Sequence, residues 1–196
     1  EEFRFRQKIR IDEINGDTSL QIDDLKIDFF STTHSIPDSV GISITTPNGR
    51  IVTTGDFKID LTPVGQHIDL HKIAKIGEEG VTLLMSDSTN AEAEGLSLSE
   101  SAVVKSIHEV ISSCRGRLIV ATFASNIHRI QQIVEAAVSY HKKIIIIGRS
   151  MEKTVAIGRK YGYIKCPDSS IVDVETIRNY RPEDLLILCT GSQGEA

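Results

Sequence analysis

The stretch GRLIVATFASNIHRIQQIVEAAVSYHKKIIIIG, residues 116–148, decides the fold class. A short apolar run opens it, a segment with helical spacing of its apolar residues follows, and a second apolar run closes it. Short apolar strands that alternate with amphipathic helices are typical of βαβ units. SMEKTVAIGRKYG and DLLILCTGS continue the alternation as far as residue 192. We therefore predict a parallel, doubly wound, Rossmann-like sheet for this half of the chain.

The chain before residue 65 is predicted to be rich in strands. FRFRQKIRI, residues 3–11, alternates apolar with polar side chains, and LKIDFF, residues 25–30, is a second strand-like run. Two further runs surround Pro47-Asn48-Gly49, which is a strong hairpin signal. A helix is then expected over residues 69–77, with Gly77 at its end.

The two halves are expected to join near residues 95–101, where GLSLSES passes from an acidic to a basic part of the chain. Ahead of the join, GVTLLMSDS predicts a buried apolar strand. After it, Ser97 or Ser99 is expected to cap one long helix, and Ser125 or Asn126 the next.

The composition is typical of a soluble globular protein, with 40% hydrophobic and 25% charged residues among 196. No run approaches the roughly 18 apolar residues of a membrane-spanning helix. The charged start EEFRFRQKIR is not expected to be a signal peptide and looks like a chain entered in mid-strand. Three cysteines without a C-x-x-C pair predict reduced thiols and a cytoplasmic protein.

Charge is distributed unevenly along the chain, whose formal net charge is −5. Residues 114–165 hold ten basic and two acidic residues, a net of +8, whereas residues 1–100 hold 9 basic and 18 acidic ones. A basic field of this size attracts a polyanion even on an acidic chain. The alternative is a solvated surface with scattered lysines, and charge alone does not decide between the two.

His34 in STTHSIPDSV and Asp56 in RIVTTGDF each follow a predicted strand. Imidazole and carboxylate groups are zinc ligands, so the pair predicts half of a metal site. The alternative for His34 is a hydrogen-bonded loop residue, because Pro37 and Asp38 beside it suit simple turn chemistry.

His67 and His71, in HIDLH, have the spacing that places two ligands on one helix face. Ile68, however, stands where metalloproteases with this pattern have a glutamate. His67 also precedes Asp69, the expected N-cap of the helix. We therefore do not expect this pair to bind a metal.

Polar side chains follow four predicted strands, in the segments MSDSTNAEAEG, ATFASNIHR, IIGRSM and CTGSQGE. In open parallel sheets, ligands gather at the carboxyl ends of strands, and helix N-termini offer N–H groups to anions. Together the four segments predict a phosphate-handling surface, although ordinary helix capping explains any one of them. The candidate phosphate- and RNA-binding residues are Ser125, Asn126, Arg129, Arg149, Ser192 and Gln193.

Six segments, in this order and spacing, resemble the ribonuclease J family: THSIPDS, TTGDFKID-TPV, SDSTNAE-EG, FASNIHRI, GRSM and TGSQGE. Members of that family are nucleases with a metallo-β-lactamase fold and an inserted β-CASP domain. The resemblance implies an α/β chain in two parts. Residues 1–98 would be the middle of a metallo-β-lactamase αββα domain, and residues 99–196 the first part of a Rossmann-like β-CASP domain.

The resemblance also implies a site with two metal ions, usually zinc. His34 matches one metal ligand of the family, and Asp56 matches the carboxylate that bridges the ions. Asp56, Asp87 and His128 are the implied catalytic residues, and the duties of Asp87 and His128 are the less defined. The family's H-x-H-x-D-H motif does not occur in these 196 residues, so this segment alone is expected to be an inactive internal part of the enzyme.

The implied reaction is hydrolysis of RNA phosphodiesters, in both 5′→3′ exonucleolytic and endonucleolytic modes. The implied partner is single-stranded RNA with a 5′-monophosphate end. The resemblance further implies a homo-oligomer that needs no membrane, although the residues themselves do not give the oligomeric state.

Three alternatives stay open. The first is an RNA-binding module without catalysis. The second is a metallo-β-lactamase-fold hydrolase of thioesters or lactones. The third is a β-CASP nuclease of the RNA 3′-processing type. The thioester or lactone hydrolase would lack the basic second half. The wording of SDSTNAE and TGSQGE favours ribonuclease J over the 3′-processing enzymes.

Overall fold

The computed structural model describes residues 10–95 and 97–191, which form two compact units. Residues 10–32, 38–57 and 68–89 make up the first unit, and the remaining described residues, including the segments 33–37 and 58–67, make up the second. The predicted domain boundary between residues 98 and 99 stays a prediction. The strand expected over residues 3–11 falls almost wholly outside the described part, and its last two residues are in no strand.

The first unit contains a five-stranded sheet and one helix. The strands lie in the order β1-β2-β3-β4-β5, antiparallel from β1 to β4, with β5 parallel to β4. The helix α1 connects β4 to β5, as a parallel pair of strands requires a crossover. The elements are β1 (Ser19–Ile22), β2 (Leu25–Ser31), β3 (Val40–Thr46), β4 (Gly49–Thr53), α1 (Leu70–Glu78) and β5 (Leu83–Met85).

The β3–β4 hairpin confirms the turn predicted at Pro47-Asn48-Gly49. Thr46 pairs with Gly49 in the register, which leaves a two-residue loop. The Thr46 hydroxyl accepts the Asn48 N–H at 3.1 Å and donates to the Gly49 carbonyl at 2.9 Å. Gly49 has φ +133°, a conformation that other residues rarely adopt, so the turn depends on glycine there.

Helix α1 begins where the sequence indicated and ends later. The Asp69 carboxylate caps it by accepting the Lys72 N–H at 2.9 Å. His67 therefore lies outside the helix and His71 within it, as expected. Gly77, however, is a helical residue and does not end α1; the predicted stop is wrong by one to two residues because Gly80, with φ +90°, breaks the helical path instead.

The described part of the first unit has a small apolar core. Phe29, Phe30 and Val52 are its buried apolar side chains. Phe30 lies opposite Gly41 in the β2–β3 register, and its ring covers the glycine so closely that a Cβ on Gly41 would lie 2.2 Å from Cζ. Gly41 is therefore required by packing and not by a special backbone angle.

The prediction of a buried strand after Gly80 is wrong for this chain. Strand β5 forms, but Leu83, Leu84 and Met85 are 49%, 60% and 50% exposed. Among the described residues β5 is the edge strand, paired with β4 on one side, so neither its edge nor its apolar side chains are covered.

The second unit contains a parallel three-stranded sheet in the order β6-β8-β7. This confirms the predicted alternation of strands and helices. The elements are α2 (Glu100–Ser113), β6 (Leu118–Thr122), α3 (Ile127–Ser139), β7 (Lys143–Ile147), α4 (Arg149–Lys160), β8 (Leu185–Thr190) and three short 3₁₀ helices (Asp168–Ser170, Val174–Asn179 and Pro182–Asp184). None of the described helices has the length and apolarity that crossing a membrane requires.

The two faces of this sheet are covered differently. On one face Ile144, Leu186 and Leu188 pack with buried residues of α2, α3 and α4. On the other face Ile145, Leu185 and Ile187 pack against a segment that contains Val172, Ile177 and Tyr180. In the described part of the chain this second cover is a loop with 3₁₀ turns, so the helix layer that a doubly wound sheet would have there is replaced.

We expect Gly41→Ala to lower the free energy of unfolding of the first unit by about 1–3 kcal/mol, because the new methyl must displace the Phe30 ring. Gly77→Ala is the matched control: it lies within α1, nothing approaches its Cβ within 4 Å, and it should raise stability by about 0.5–1 kcal/mol. Urea unfolding followed by far-UV circular dichroism measures both. Equal effects of the two substitutions would contradict the packing role of Gly41.

Candidate functional site

Two acidic residues from the sequence analysis emerge at the same edge of the first unit's sheet. Asp56 follows β4 and Asp87 follows β5, and these strands are parallel neighbours. Beyond the strands, the Thr54 N–H donates to the Met85 carbonyl at 3.1 Å, and the Asp87 N–H donates to the Thr54 hydroxyl at 3.0 Å. The carboxyl ends of parallel strands are where such sheets collect functional groups.

Local turns fix both acidic residues. Gly55, with φ +58°, turns the chain just before Asp56. The Asp87 carboxylate accepts the Thr89 N–H at 2.8 Å, which closes a turn typical of aspartate. The backbone turns after β4 and β5 therefore set the positions of both residues.

The second unit contains a polar cavity of about 140 Å³ that brings distant parts of the sequence together. His34 lies in it with Asn126 and His128, two residues of the FASNIHR segment. The other lining residues are Thr33, Ser35, Lys58, Val64 and Glu100. Three of the residues singled out in the sequence thus share one cavity, although more than 90 positions separate His34 from the other two.

His34 is positioned by hydrogen bonds to the segment 58–67. The Lys58 N–H donates to the Thr33 carbonyl at 2.8 Å, and the Thr33 hydroxyl donates to the Gln66 carbonyl at 3.3 Å. The Ser35 hydroxyl lies 3.3 Å from His34 Nε2. The short segment 33–37 is therefore anchored at its first residue by the segment 58–67.

His128 is positioned by the start of α3 and by a glycine. The Asn126 side chain caps α3 by accepting the Arg129 N–H at 3.0 Å, which confirms the predicted cap and puts His128 in the first turn. Gly65, with φ +103°, lies against the imidazole, and a Cβ there would be 2.6 Å from His128 Cε1. In the sequence, the only feature that points to Gly65 is that it is a glycine within PVGQH.

A cluster of charges surrounds this cavity. Lys58 Nζ donates to the Leu98 carbonyl at 2.5 Å and lies 3.5 Å from Glu100 Oε1. Arg129 Nη2 donates to Glu100 Oε2 at 2.7 Å. Glu100 therefore offsets the charge of Arg129, and the predicted role of Arg129 in RNA binding stays a prediction.

Asp60 is the most buried carboxylate of the cluster, with 3% of its surface exposed. It accepts the Glu100 N–H at 2.7 Å and the Thr62 N–H at 3.0 Å, and Lys58 Nζ lies 3.6 Å away. Burial raises the pKa of Asp60, but these donors and the ammonium group outweigh burial and hold the pKa below its ordinary value. Because Glu100 is the first residue of α2, the carboxylate also faces the positive end of that helix.

Ser125 and Arg149, two further predicted phosphate-binding residues, lie just after strands β6 and β7 of the second unit. Both side chains are exposed. Ser125 precedes α3, and Arg149 is the first residue of α4. Gly148, with φ +107°, opens α4 without a side-chain cap, and the Gly191 N–H donates to the Thr122 carbonyl at 3.0 Å. Ser192 and Gln193 lie outside the described residues.

The described residues do not by themselves form a metal site. His34 and Asp56 have the donor types that zinc takes, but in the ranges 10–95 and 97–191 no three His, Cys, Asp or Glu side chains come together as metal ligands would. Zinc sites use about three or four protein ligands. The metal-binding roles of His34 and Asp56 therefore stay predictions, and no catalytic step through a metal follows from these residues alone.

Comparison with known proteins gives a consistent family assignment. A family model described as "Ribonuclease J, beta-CASP domain" matches residues 115–196. Ribonuclease J 1 of Streptococcus pyogenes serotype M3 is 48% identical over 196 residues, which cover 100% of this chain and 35% of that protein. Ribonuclease J2 of Bacillus subtilis (strain 168) is 42% identical over 195 residues, with 99% and 35% covered. The chain thus spans about a third of the length of these curated relatives.

A solved structure shares the fold. It is titled "Crystal Structure of a Protein of Unknown Function from Enterococcus faecalis V583" and aligns with a TM-score of 0.64 at 13% identity. The alignment covers 95% of this chain and 46% of that one. At this identity the likeness supports the α/β fold alone.

We expect Asp60→Asn to destabilise the second unit by about 1–3 kcal/mol at neutral pH, because a buried charge-assisted acceptor of two N–H groups is lost. The pKa of Asp60 is depressed in the folded state, so its contribution is present above the ordinary value of 3.8 and is lost as the pH falls through the lower folded value. As the pH falls through this range, the stability of Asp60→Asn should therefore fall less than that of the unchanged protein.

Asp184→Asn is the control for this prediction. The pKa of Asp184 is also lowered, by the hydrogen bond from Arg181, but the pair is exposed and water competes with it. Its replacement should change the unfolding midpoint in urea little at pH 7. An Asp60→Asn variant as stable as Asp184→Asn at pH 7 would show that Asp60 does not anchor the segment 58–67.

Proposed function

The chain belongs to the ribonuclease J family, and from that membership we propose that the whole protein hydrolyses phosphodiester bonds of RNA in a metal-dependent reaction. The proposed substrate is single-stranded RNA with a 5′-monophosphate end, cleaved in 5′→3′ exonucleolytic and endonucleolytic modes. The curated relatives named ribonuclease J and the matching β-CASP model support this proposal.

The observation that carries the proposal is the cavity shared by His34, Asn126 and His128. His34 follows β2 and His128 lies in the first turn of α3, so imidazoles from two distant parts of the sequence line one cavity. The His128 imidazole can hold or transfer a proton, and the start of α3 offers N–H groups to an anion. Lys58 adds a cation to the same cavity.

Metal binding is proposed for His34 and Asp56. Both have the donor types of zinc. Asp56 follows β4 in the first unit, and His34 lines the polar cavity of the second unit. Further metal ligands are proposed to come from the part of ribonuclease J that these 196 residues do not span. Asp87 and His128 are proposed to assist catalysis. Asp87 lies at the sheet edge that also carries Asp56. His128 lies in the cavity that contains His34.

RNA binding is proposed for exposed basic residues of the second half, because several other basic residues there have intramolecular partners. Lys142 is buried and donates to the Glu183 carbonyl at 2.7 Å, Arg159 pairs with Asp168, and Arg129 pairs with Glu100. The exposed basic residues of the segment 114–165 are Arg115, Arg117, Arg149, Lys153, Lys160 and Lys165. Of these, Arg149 follows the carboxyl end of β7 by two residues and begins α4.

A second function has one observation in its favour. The six exposed basic residues of the segment 114–165 favour an RNA-binding module without catalysis of its own as this second function. A homo-oligomeric assembly and a cytoplasmic location are proposed with the family assignment. The three half-buried free cysteines are compatible with a reducing compartment.

We expect Asp56→Ala in the whole protein to abolish most RNA hydrolysis and to reduce the bound metal, because a metal-binding carboxylate is removed. Asp24→Ala, in the turn between β1 and β2 of the same unit, is the control and should keep both. Metal content by elemental analysis, melting temperature and hydrolysis of a 5′-labelled RNA are measured on each variant. Full metal content with an unchanged rate in Asp56→Ala would refute the role of Asp56.

We expect this chain to bind single-stranded RNA weakly, with an affinity that falls at least about tenfold between 50 and 200 mM salt, because bound counterions are released. Arg149→Gln should weaken binding. It should also lower by about one the slope of log affinity against log salt concentration. Lys105→Gln, on the exposed side of α2 beside Glu109, should change neither. Fluorescence anisotropy of a labelled RNA decides this, and binding that is independent of salt would count against the basic surface.

A further inference from the structure

A second polar cavity, of about 170 Å³, lies in the first unit, where α1 packs on the sheet. Strands β2, β3 and β4 supply Lys26, Asp28, Ser43 and Arg50, and helix α1 supplies Lys72 and Lys75. None of these residues belongs to the strand-end groups described above. A cavity between a helix and a sheet is usually filled by apolar side chains, whereas this one is lined mostly by charged groups.

Ser43 points to an occupant of this cavity. Only 1% of its surface is exposed, and its hydroxyl has no hydrogen-bond partner among the described residues. A buried hydroxyl is normally satisfied, since leaving its hydrogen bonds unmade is costly. Because Ser43 lines the cavity, a group bound there would accept its hydrogen bond.

The charges of the cavity are not balanced. Lys26 Nζ lies 2.9 Å from Asp28 Oδ2, and Arg50 Nη2 lies 2.6 Å from Glu79 Oε2. Lys72 Nζ donates to the Gly16 carbonyl at 2.7 Å and has no carboxylate within 4 Å in the described part of the chain.

Lys75 adds a further positive charge, which helps to lower the pKa of Glu79 in the same cavity. Its ammonium makes no hydrogen bond or ion pair with any residue that the structure describes. Glu79 also lines the cavity, so four cations and the two carboxylates of Asp28 and Glu79 leave it with a net charge of +2.

Both carboxylates stay ionised at neutral pH. Burial raises the pKa of Asp28, but hydrogen bonds from Lys26 and Ser19 outweigh it and the pKa is lowered. The hydrogen bond from Arg50 lowers the pKa of Glu79. Protonation therefore does not alter the balance of charge in the physiological range.

We propose that this cavity binds a small free oxyanion of the phosphate class, held by Lys72, Lys75 and the Ser43 hydroxyl. The net positive charge disfavours a metal cation, and the charged lining disfavours an apolar ligand. The volume suits a single tetrahedral oxyanion with water around it and is too small for a nucleic-acid strand. The anion would link β3 to α1 and stabilise the first unit by binding its folded form.

This site does not depend on RNA hydrolysis, so its failure would leave the proposed function intact. Inorganic phosphate is titrated into the intact protein by calorimetry at constant ionic strength, with chloride as the balancing anion. Lys75→Gln, at an exposed helical position that tolerates change, and Ser43→Ala are compared with the control Lys105→Gln on α2. The rise in melting temperature with phosphate is a second readout.

We expect saturable phosphate binding, weakened roughly tenfold in Lys75→Gln because a charge-assisted hydrogen bond is lost, and weakened severalfold in Ser43→Ala. Lys105→Gln should bind as the unchanged protein does. Ser43→Ala should be at least as stable as the unchanged protein without phosphate, since an unsatisfied buried hydroxyl is removed. If Ser43→Ala does not fold, Lys75→Gln decides alone.

Three results would overturn the proposal: no saturable phosphate binding, equal stabilisation by chloride, or equal phosphate affinity in Lys75→Gln and Lys105→Gln. A short RNA is added last, as a competitor. If it displaces phosphate in a manner that requires Lys75, the occupant is a nucleic acid and the free-anion site is refuted. If RNA leaves phosphate binding unchanged, the free oxyanion is supported.

Discussion

The carboxylate of Asp60 at the N-terminus of α2 is the interaction on which the candidate site of the second unit depends. A buried carboxylate is costly unless donors surround it, and here the Glu100 and Thr62 N–H groups and the Lys58 ammonium do so. The Thr62 hydroxyl adds a hydrogen bond to Ser101 at 2.9 Å. Since α2 packs into the main core through Ile111, this end of the segment 58–67 is tied to a rigid element.

Once this segment is fixed, it positions both histidines of the cavity. It holds Thr33, the residue before His34, through two hydrogen bonds. The Lys58 N–H donates to the Thr33 carbonyl, and the Thr33 hydroxyl donates to the Gln66 carbonyl. At its other end Gly65 packs on the His128 imidazole. Functional side chains must be held to within about 1 Å of a productive geometry, and a fixed segment between two histidines meets that need. The energetic cost of burying Asp60 is thus connected to the chemistry of the cavity.

Local signals in the sequence predicted much of the fold but not the contacts between distant segments. The hairpin at Pro47-Asn48-Gly49, the cap at Asp69 and the alternation after residue 100 follow from short-range backbone and side-chain chemistry, and the structure has all three. The cavity of His34 and His128 depends on Asp60 and Gly65, which carry no recognisable signal because their partners are far away in the sequence. The exposure of β5 was missed for a related reason, since an apolar run does not say which neighbours cover it.

The most direct test of this account compares Gly65→Ala with Gly162→Ala in the whole protein. Both glycines have positive φ, +103° and +80°, so both substitutions strain the backbone, but only Gly65 contacts His128, and nothing lies within 4 Å of a Cβ on Gly162. The rate of hydrolysis of a 5′-monophosphorylated RNA is measured together with the melting temperature. We predict similar melting temperatures and a rate at least about tenfold lower for Gly65→Ala, because the imidazole is displaced. Equal rates for the two variants would contradict the claim that Gly65 holds a functional His128.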